Sequence, residues 1–351
     1  MESQPLEVEK GRETNVMKCS VMILNWNGAE MLRRYLPSVV ENTKYADVNI
    51  VVADNGSTDD SLQVLQDFKE VKLIKLDRNY GFAEGYNRAV DQIDSDYCVL
   101  LNSDVEVTEG WLDTLLAYMD THQDVVACQP KILSWTDKKR FEHAGAAGGH
   151  IDRLGYPFCR GRILEYVEKD NGQYDTVADI FWASGACLCI RTAEYKALGG
   201  LDADFFAHME EIDLCWRINC RGGRVVCVPQ ATVYHLGGGA LNYESPRKTY
   251  LNFRNNLLML YKNLPDNKLR KVMFMRLVLD YAAAAHLSVT GKMQNALAVF
   301  KARYDYHKMR NSEAFKAKRH DNISKATTPY PATISNRSIL FDRYCRGRQT
   351  F

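Results

Sequence analysis

The chain has 351 residues, 46% of them hydrophobic and 25% charged, with a formal net charge of +1. This is an ordinary soluble composition, long enough for one large domain or one domain with a small appendage. It argues against a secretory signal, since Glu2, Glu7, Glu9 and Glu13 fall where a signal is apolar, and against a spanning helix, since no long apolar run lacks charge.

The ten cysteines contain no C-x-x-C pair, so buried reduced thiols in a cytoplasmic protein are expected rather than zinc ligands or disulfides. Charge is unevenly placed. Residues 262–351 carry 18 basic and 6 acidic side chains, a net of +12, while residues 1–261 carry a net of −11. A basic end on an acidic body points to a polyanionic partner, anionic lipid headgroups ahead of nucleic acid.

Residues 1–17 read as a loosely attached lead. Ser20–Leu24 is a short continuous apolar run, the pattern of a buried parallel strand, and it ends at Asn25-Trp-Asn27-Gly28. Ala29 to Asn42 has helical spacing, with Leu32, Tyr35, Leu36 and Val39 on one face. A second strand, Val48–Ala53, ends at Asp54-Asn55-Gly-Ser57-Thr58-Asp59, where Ser57 or Thr58 can cap a helix starting near Asp59. A third, Val71–Leu76, gives way to Arg78-Asn-Tyr-Gly81-Phe-Ala-Glu-Gly85 and a helix to Ile93. The fourth, Tyr97–Leu101, stops at Asn102-Ser103-Asp104 and leads to a helix over 109–121. Strand–helix alternation predicts an α/β fold, a mostly parallel sheet with helices on both faces. Ligands bind such sheets at the C-terminal strand ends. Three of these strand ends carry polar clusters, at Asn25–Gly28, Asp54–Asp59 and Asn102–Asp104, and together they define a site.

The second half is less regular. Val125–Leu133 reads as a strand, and residues 134–178 as a long loop with short strands, the length of a functional loop or lid. Ile180–Ile190 reads as a strand broken at Ala183–Ala186, and Phe205 to Arg221 as the entry and body of a helix. Val225–Val228 and Ala231–Tyr234 read as strands, the second ending at His235 before Gly237-Gly238-Gly239. Three helices follow, over 249–263, 268–288 and 292–309. The middle one is apolar around most of its circumference, so it is buried or lies in a membrane interface, with Arg276 and Asp280 spaced to pair.

Asp104, at a strand end, can hold a divalent ion on a diphosphate or simply cap a turn. Asp54 can accept from a pyrimidine N3–H or a ribose hydroxyl, or close an Asx-turn. Glu210, Glu211 and Asp213 crowd three carboxylates into a helix start. Repulsion there raises at least one pKa, which suits a general base, while the macrodipole favours acids there for structural reasons. Asp213 and Arg217 are spaced to pair. His235 can ligate a metal or contact a phosphate.

Seven segments in order resemble glycosyltransferase family 2, inverting enzymes of the GT-A fold, in its rhamnosyltransferase-like bacterial branch. They are Val21–Gly28, Val52–Asp59, Arg78–Gly85 with Asn87, Leu101–Asp104, Ala183–Ala186, Glu210–Arg217 and Val233–Gly238. The resemblance implies a nucleotide and donor site of Asn25, Asn27, Asp54, Asn55, Arg78, Gly81, Gly85, Asn87, Asn102 and Ser103. It implies that Trp182, Ser184, Gly185 and Ala186 border the donor sugar and acceptor. Asp104 would be the metal-binding end of an Asp-x-Asp motif whose first residue is here Asn102, with His235 at the metal or diphosphate. The base would be Glu211, or its neighbour Glu210, at a position where the family has Asp.

The implied activity is transfer of a sugar from a nucleotide-sugar, UDP- or dTDP-linked, to a glycan or lipid-linked glycan, with Mg²⁺ or Mn²⁺. A sugar nucleotidyltransferase and a non-catalytic nucleotide-sugar-binding protein are the alternatives. The expected organisation is a catalytic domain over 18–265 and a basic helical region over 266–351. The expected location is cytoplasmic, with that region attaching peripherally to the inner membrane face.

Overall fold

The computed structural model describes residues 17–237 and 245–351. The expected lead lies outside them apart from Met17, and so do Gly238 and Gly239.

The first half alternates as expected: β1 (Met17–Asn25), α1 (Ala29–Glu41), β2 (Val48–Asn55), α2 (Ser61–Val64), β3 (Val71–Leu76), α3 (Gly81–Val90), β4 (Ser95–Leu101), β5 (Val105–Val107), α4 (Trp111–Thr121) and β6 (Val125–Ser134). The apolar runs of β1, β2 and β4 are buried because helices cover both sheet faces. α1 buries Leu32, Tyr35, Leu36 and Val39. Each such aliphatic side chain contributes about 1.5–3 kcal/mol of burial. α2 is a single turn, and Ser57 and Thr58 do not cap it. The residue before it, Asp60, takes the N-cap position with no side-chain cap bond, while Asp59 accepts from Ser61 N at 3.0 Å and Ser61 Oγ at 2.5 Å.

Next come β7 (Gly149–Asp152), β8 (Pro157–Cys159), β9 (Arg162–Ile163), β10 (Tyr166–Val167), β11 (Ala178–Asp179), β12 (Cys187–Arg191), α5 (Thr192–Ala197), α6 (Glu210–Cys220) and β13 (Arg224–His235). The two strands expected over 225–234 are thus one, with a register shift between Val228 and Thr232. The segment 180–186 does not continue β12: Trp182 makes only an isolated bridge to Gly149 and donates to His150 O of β7, while Ser184 bonds the Gln129 side chain of β6 and Ala144 O.

The chain then forms α7 (Pro246–Asn263), α8 (Asp266–Val289), α9 (Met293–Arg310), α10 (Glu313–Ser324), β14 (Ile334–Ser335) and α11 (Ile339–Tyr344). α8 is long and apolar enough to cross a membrane by length and composition alone. Its two interior charges are buried: Arg276 pairs with Asp280 at 3.3 Å, and Arg303 of α9 donates to Asp280 at 2.6 Å.

The main sheet has nine strands in the order β11-β13-β6-β12-β4-β1-β2-β3, with β5 beside β13. β4, β1, β2 and β3 are mutually parallel, as are β13 and β6. β12 runs antiparallel between β4 and β6, so Cys187, where β12 starts, pairs with Leu101, where β4 ends. The turn Ala183–Ala186 is thereby delivered to the C-terminal end of β4. His235 at the end of β13 pairs with Val105, which places it beside Asp104. A second sheet, β10-β9-β8-β7-β14, is built from the 134–178 stretch and closed by the C-terminal β14.

Candidate active site

The ends of β1 and β2 are tied together. Asn25 Nδ2 donates to Asp54 Oδ1 and to Ser57 Oγ, each at 3.1 Å. Ser57 N donates to Asp54 Oδ2 at 3.0 Å, which closes an Asx-turn. Asn27, left-handed at φ 50°, accepts from Thr58 N at 2.7 Å through its side chain. Buried Asn25 Oδ1 has no hydrogen-bond partner, an acceptor left open at the strand end.

Asn55 is spent on the next loop, donating to Gly81 O at 3.0 Å and accepting from Tyr80 N at 3.0 Å. Arg78 is exposed beside the Tyr80 ring. Gly81 has φ +81°, and a Cβ there would lie 2.5 Å from the Phe206 ring. Gly85 leaves room for Leu24 and Asn55. Asn87 points elsewhere: it donates to Leu201 O at 2.8 Å and accepts from Tyr195 OH at 2.6 Å, joining α3 to the loop before α6.

At the end of β4, Asp104 Oδ1 lies 3.1 Å from His235 Nε2, and Asn102 Nδ2 lies 3.4 Å from the same nitrogen. Ser103 approaches Gly28, joining this end to that of β1. Glu142, which carries no sequence motif, stands on the other side of the imidazole, with Oε2 3.4 Å from His235 Nδ1. Ala144 N donates to Glu142 at 2.5 Å. All three groups are buried. Burial alone pulls the imidazole pKa down, but the two flanking carboxylates hold it up at about 10. Burial likewise pushes Asp104 and Glu142 up, and His235 brings both below the ordinary carboxylate range. Two carboxylates around one imidazole leave the trio net negative, which favours a cation, and a metal ion at Nε2 would displace the proton there. Two donors 3.1 Å apart can both reach one cation at about 2.0–2.2 Å, so they fit a divalent ion. Among the described residues no third His, Cys, Asp or Glu joins them, so the remaining positions suit phosphate oxygens and water.

The turn before β12 completes this wall. Asn102 N donates to Ala186 O at 3.0 Å, and Ser184 Oγ donates to Ala144 O at 2.6 Å. Trp182 faces away, its ring over Gly149 and its N–H on His150 O at 2.9 Å. Gly185 is open toward Glu211: a Cβ there would be 3.9 Å from Glu211 Cβ and 3.4 Å from Phe82.

α6 begins at Glu210, and its entry is irregular, since Phe206, His208 and Met209 all have positive φ. Such residues cost energy, and they hold here because neighbours fix them. Asn255 Nδ2 of α7 donates to Phe205 O, Ala207 O and His208 O at 2.8–2.9 Å. Phe206 O in turn accepts from Phe82 N at 2.8 Å. This turn aims the first residues of α6. Glu210 is buried, and burial together with the charge of Glu211 holds its carboxyl well above the usual range. Burial pushes half-buried Glu211 up to about 7, against the pull of α6 amides. Oε2 of each is unpartnered. Asp213 is different: fully buried, it bonds Arg217 at 3.0 Å, Lys262 at 2.7 Å and Asn263 at 2.8 Å. It locks α6 to α7.

The parallel nucleotide-site half of the sheet with its inserted antiparallel β12 is a GT-A fold. Two solved structures share the fold. Staphylococcus aureus TarS 1–349 with UDP matches with a TM-score of 0.56 at 16% identity, over 95% of this chain and 92% of that one. GalNAc-T7 with UDP, GalNAc and Mn²⁺ matches at 0.55 and 18%, over 90% and 59%. Residues 20–175 match the family model Glycosyl transferase family 2. Over that stretch the chain is similar to glycosyltransferase family 2, and rhamnosyltransferases are among the proteins it resembles. The O-antigen biosynthesis protein RfbC of Myxococcus xanthus is 27% identical over 62% of this chain, which spans 17% of its length. The N-acetylglucosaminyl-diphospho-decaprenol L-rhamnosyltransferase of Mycobacterium tuberculosis is 28% identical over 61% of this chain and 75% of that protein.

Proposed function

We propose that this glycosyltransferase inverts the anomeric centre of a nucleoside-diphosphate sugar, UDP- or dTDP-linked, as it passes the sugar to a hydroxyl of a glycan or lipid-linked glycan. The observation that carries this reading is the placement of Glu211. Its Cβ stands beside Gly185 and its Oε2 has no hydrogen-bond partner, and Gly185 lies on the turn whose Ala186 O accepts from Asn102 N beside Asp104. A base and a diphosphate-holding pair thus share one wall.

Glu211 Oε2 takes the proton of the acceptor hydroxyl. The freed oxygen forms its bond to the anomeric carbon from the face opposite the nucleotide. The carbon–oxygen bond to the diphosphate breaks, and the electron pair leaves with it. Asp104 and His235 would hold Mg²⁺ or Mn²⁺, which when bound neutralises the leaving diphosphate. Asp54 oxygens keep lone pairs beyond those used by Asn25 and Ser57, and with open Asn25 Oδ1 they offer acceptors to a pyrimidine N3–H. The name of the Mycobacterium tuberculosis relative, which joins a rhamnosyl group to a diphospho-decaprenol-linked acceptor, supports a lipid-linked substrate in a surface-polysaccharide route.

The test is nucleotide release from UDP- and dTDP-sugars with Mn²⁺ for wild type and Glu211→Gln. Removing a general base costs about 10²–10⁴-fold in turnover, with UDP affinity unchanged. Turnover within a factor of about two of wild type would remove Glu211 from the role.

A further inference from the structure

The helical hairpin α8–α9 is built inside out. Its charged residues Arg276, Asp280 and Arg303 are buried at 0–5% exposure, while large apolar side chains line the outside. On α8 these are Phe274, 65% exposed, Val278 at 53% and Tyr281 at 44%; on α9 they are Leu297 at 53%, Phe300 at 49% and Tyr304 at 71%. The spacing within each helix puts each set on one stripe. The Tyr281 and Phe300 rings lie 5.5 Å apart, so the two stripes join into one face. A soluble monomer rarely leaves such a continuous apolar face to water.

Charge says what covers it. Between residues 267 and 312 the only acidic side chains are Asp280, which is buried, and Asp305, which is half-buried and bound to Tyr250 and Lys301. Six basic side chains of the same stretch are exposed, with Lys268, Arg270 and Lys271 at one end of α8 and Lys308 near the far end of α9. An apolar face flanked by exposed cations, with exposed anions only at its margins, Asp266 bound to Arg319 and Glu313 bound to Lys316, matches the boundary of an anionic bilayer, where acyl chains meet acidic headgroups. The buried ionic network also fixes the orientation: Arg276 donates to Leu154 O at 3.2 Å, fastening α8 to the second sheet so that its apolar stripe faces outward.

We propose that the α8–α9 face is a docking surface for an anionic lipid bilayer, lying in its interface rather than crossing it. Docking uses neither donor nor metal, so it stands apart from the transfer chemistry.

The test is co-sedimentation of the full chain with phosphatidylcholine vesicles, pure or carrying about a third phosphatidylglycerol. Wild type is expected to partition roughly tenfold more strongly onto the anionic vesicles, and to be released by salt. Phe274→Ser with Tyr304→Ser, and separately Arg270→Glu with Lys271→Glu, are expected to abolish that gain while keeping the wild-type melting curve. These positions are exposed, so both variants should fold. Wild type indifferent to anionic lipid, or either folded variant binding as wild type does, overturns the proposal. So does a wild-type dimer in light scattering that Phe274→Ser with Tyr304→Ser converts to monomer, since a second copy would then cover the face.

Discussion

Glu210 and Glu211 are adjacent in sequence and differ in surroundings. Glu210 is enclosed, and burial with the charge of Glu211 pushes its carboxyl well above the usual range, while burial pushes Glu211 up to about 7 at the edge of the open turn. A base works only when ionised, so kcat/KM should rise about tenfold per pH unit below about 7 and level off above it. A profile flat across that range contradicts the assignment. Glu142 belongs to the same scale. It stands 3.4 Å from the imidazole nitrogen away from Asp104, where it would keep the proton on Nδ1 when a metal ion takes Nε2. Glu142→Gln should therefore weaken Mn²⁺-dependent UDP binding about 10–100-fold in calorimetry, leaving binding in EDTA unchanged. Asp104, His235 and Glu211 were legible because each closes a strand or opens a helix at a point where an apolar pattern stops. Glu142 was not, since it lies in an aperiodic stretch and its meaning comes only from a histidine on another strand. Asn55, Asn87 and Trp182 show the converse. Their segments mark the family, while their side chains bond to loops and the second sheet.

Among the elements, the turn before α6 matters most. Its three left-handed residues are neither glycine nor asparagine, so composition gives no hint of them, although the helix start at the Glu210–Asp213 carboxylates was legible. What holds the turn is Asn255, far along the chain on α7, through one amide shared by three carbonyls. Removing that amide leaves buried acceptors unpaired. Asn255→Ala should cost about 1–3 kcal/mol, lower Tm by several degrees and reduce turnover by loosening the aim of Glu211. Unchanged Tm and turnover would mean the turn is held otherwise. The parallel half of the sheet was legible from its apolar runs. The antiparallel entry of β12 was not, because strand direction depends on the route taken through the second sheet, and that route leaves no periodic trace.

Over the whole molecule, the site is assembled from strand ends far apart in sequence, and the C-terminal region is stitched onto the body that carries them. Lys318 pairs with Asp202 at 2.6 Å, Thr327 N donates to Cys220 O at 2.8 Å, and β14 extends the second sheet beside β7. The basic excess of the tail was plain in the sequence. Its division into buried clamps and an outward apolar face was not, because Arg276 and Asp280 read equally well as a surface pair. The central claim is that Asp104 and His235, ends of two different strands, hold the diphosphate through a divalent ion, apart from the base at Glu211. It is tested most directly by titrating UDP into wild type and Asp104→Ala with Mn²⁺ and with EDTA. The expected result is tight binding only for wild type with Mn²⁺, and weak, metal-indifferent binding for the variant. Equal affinity of the two proteins in Mn²⁺ would contradict it.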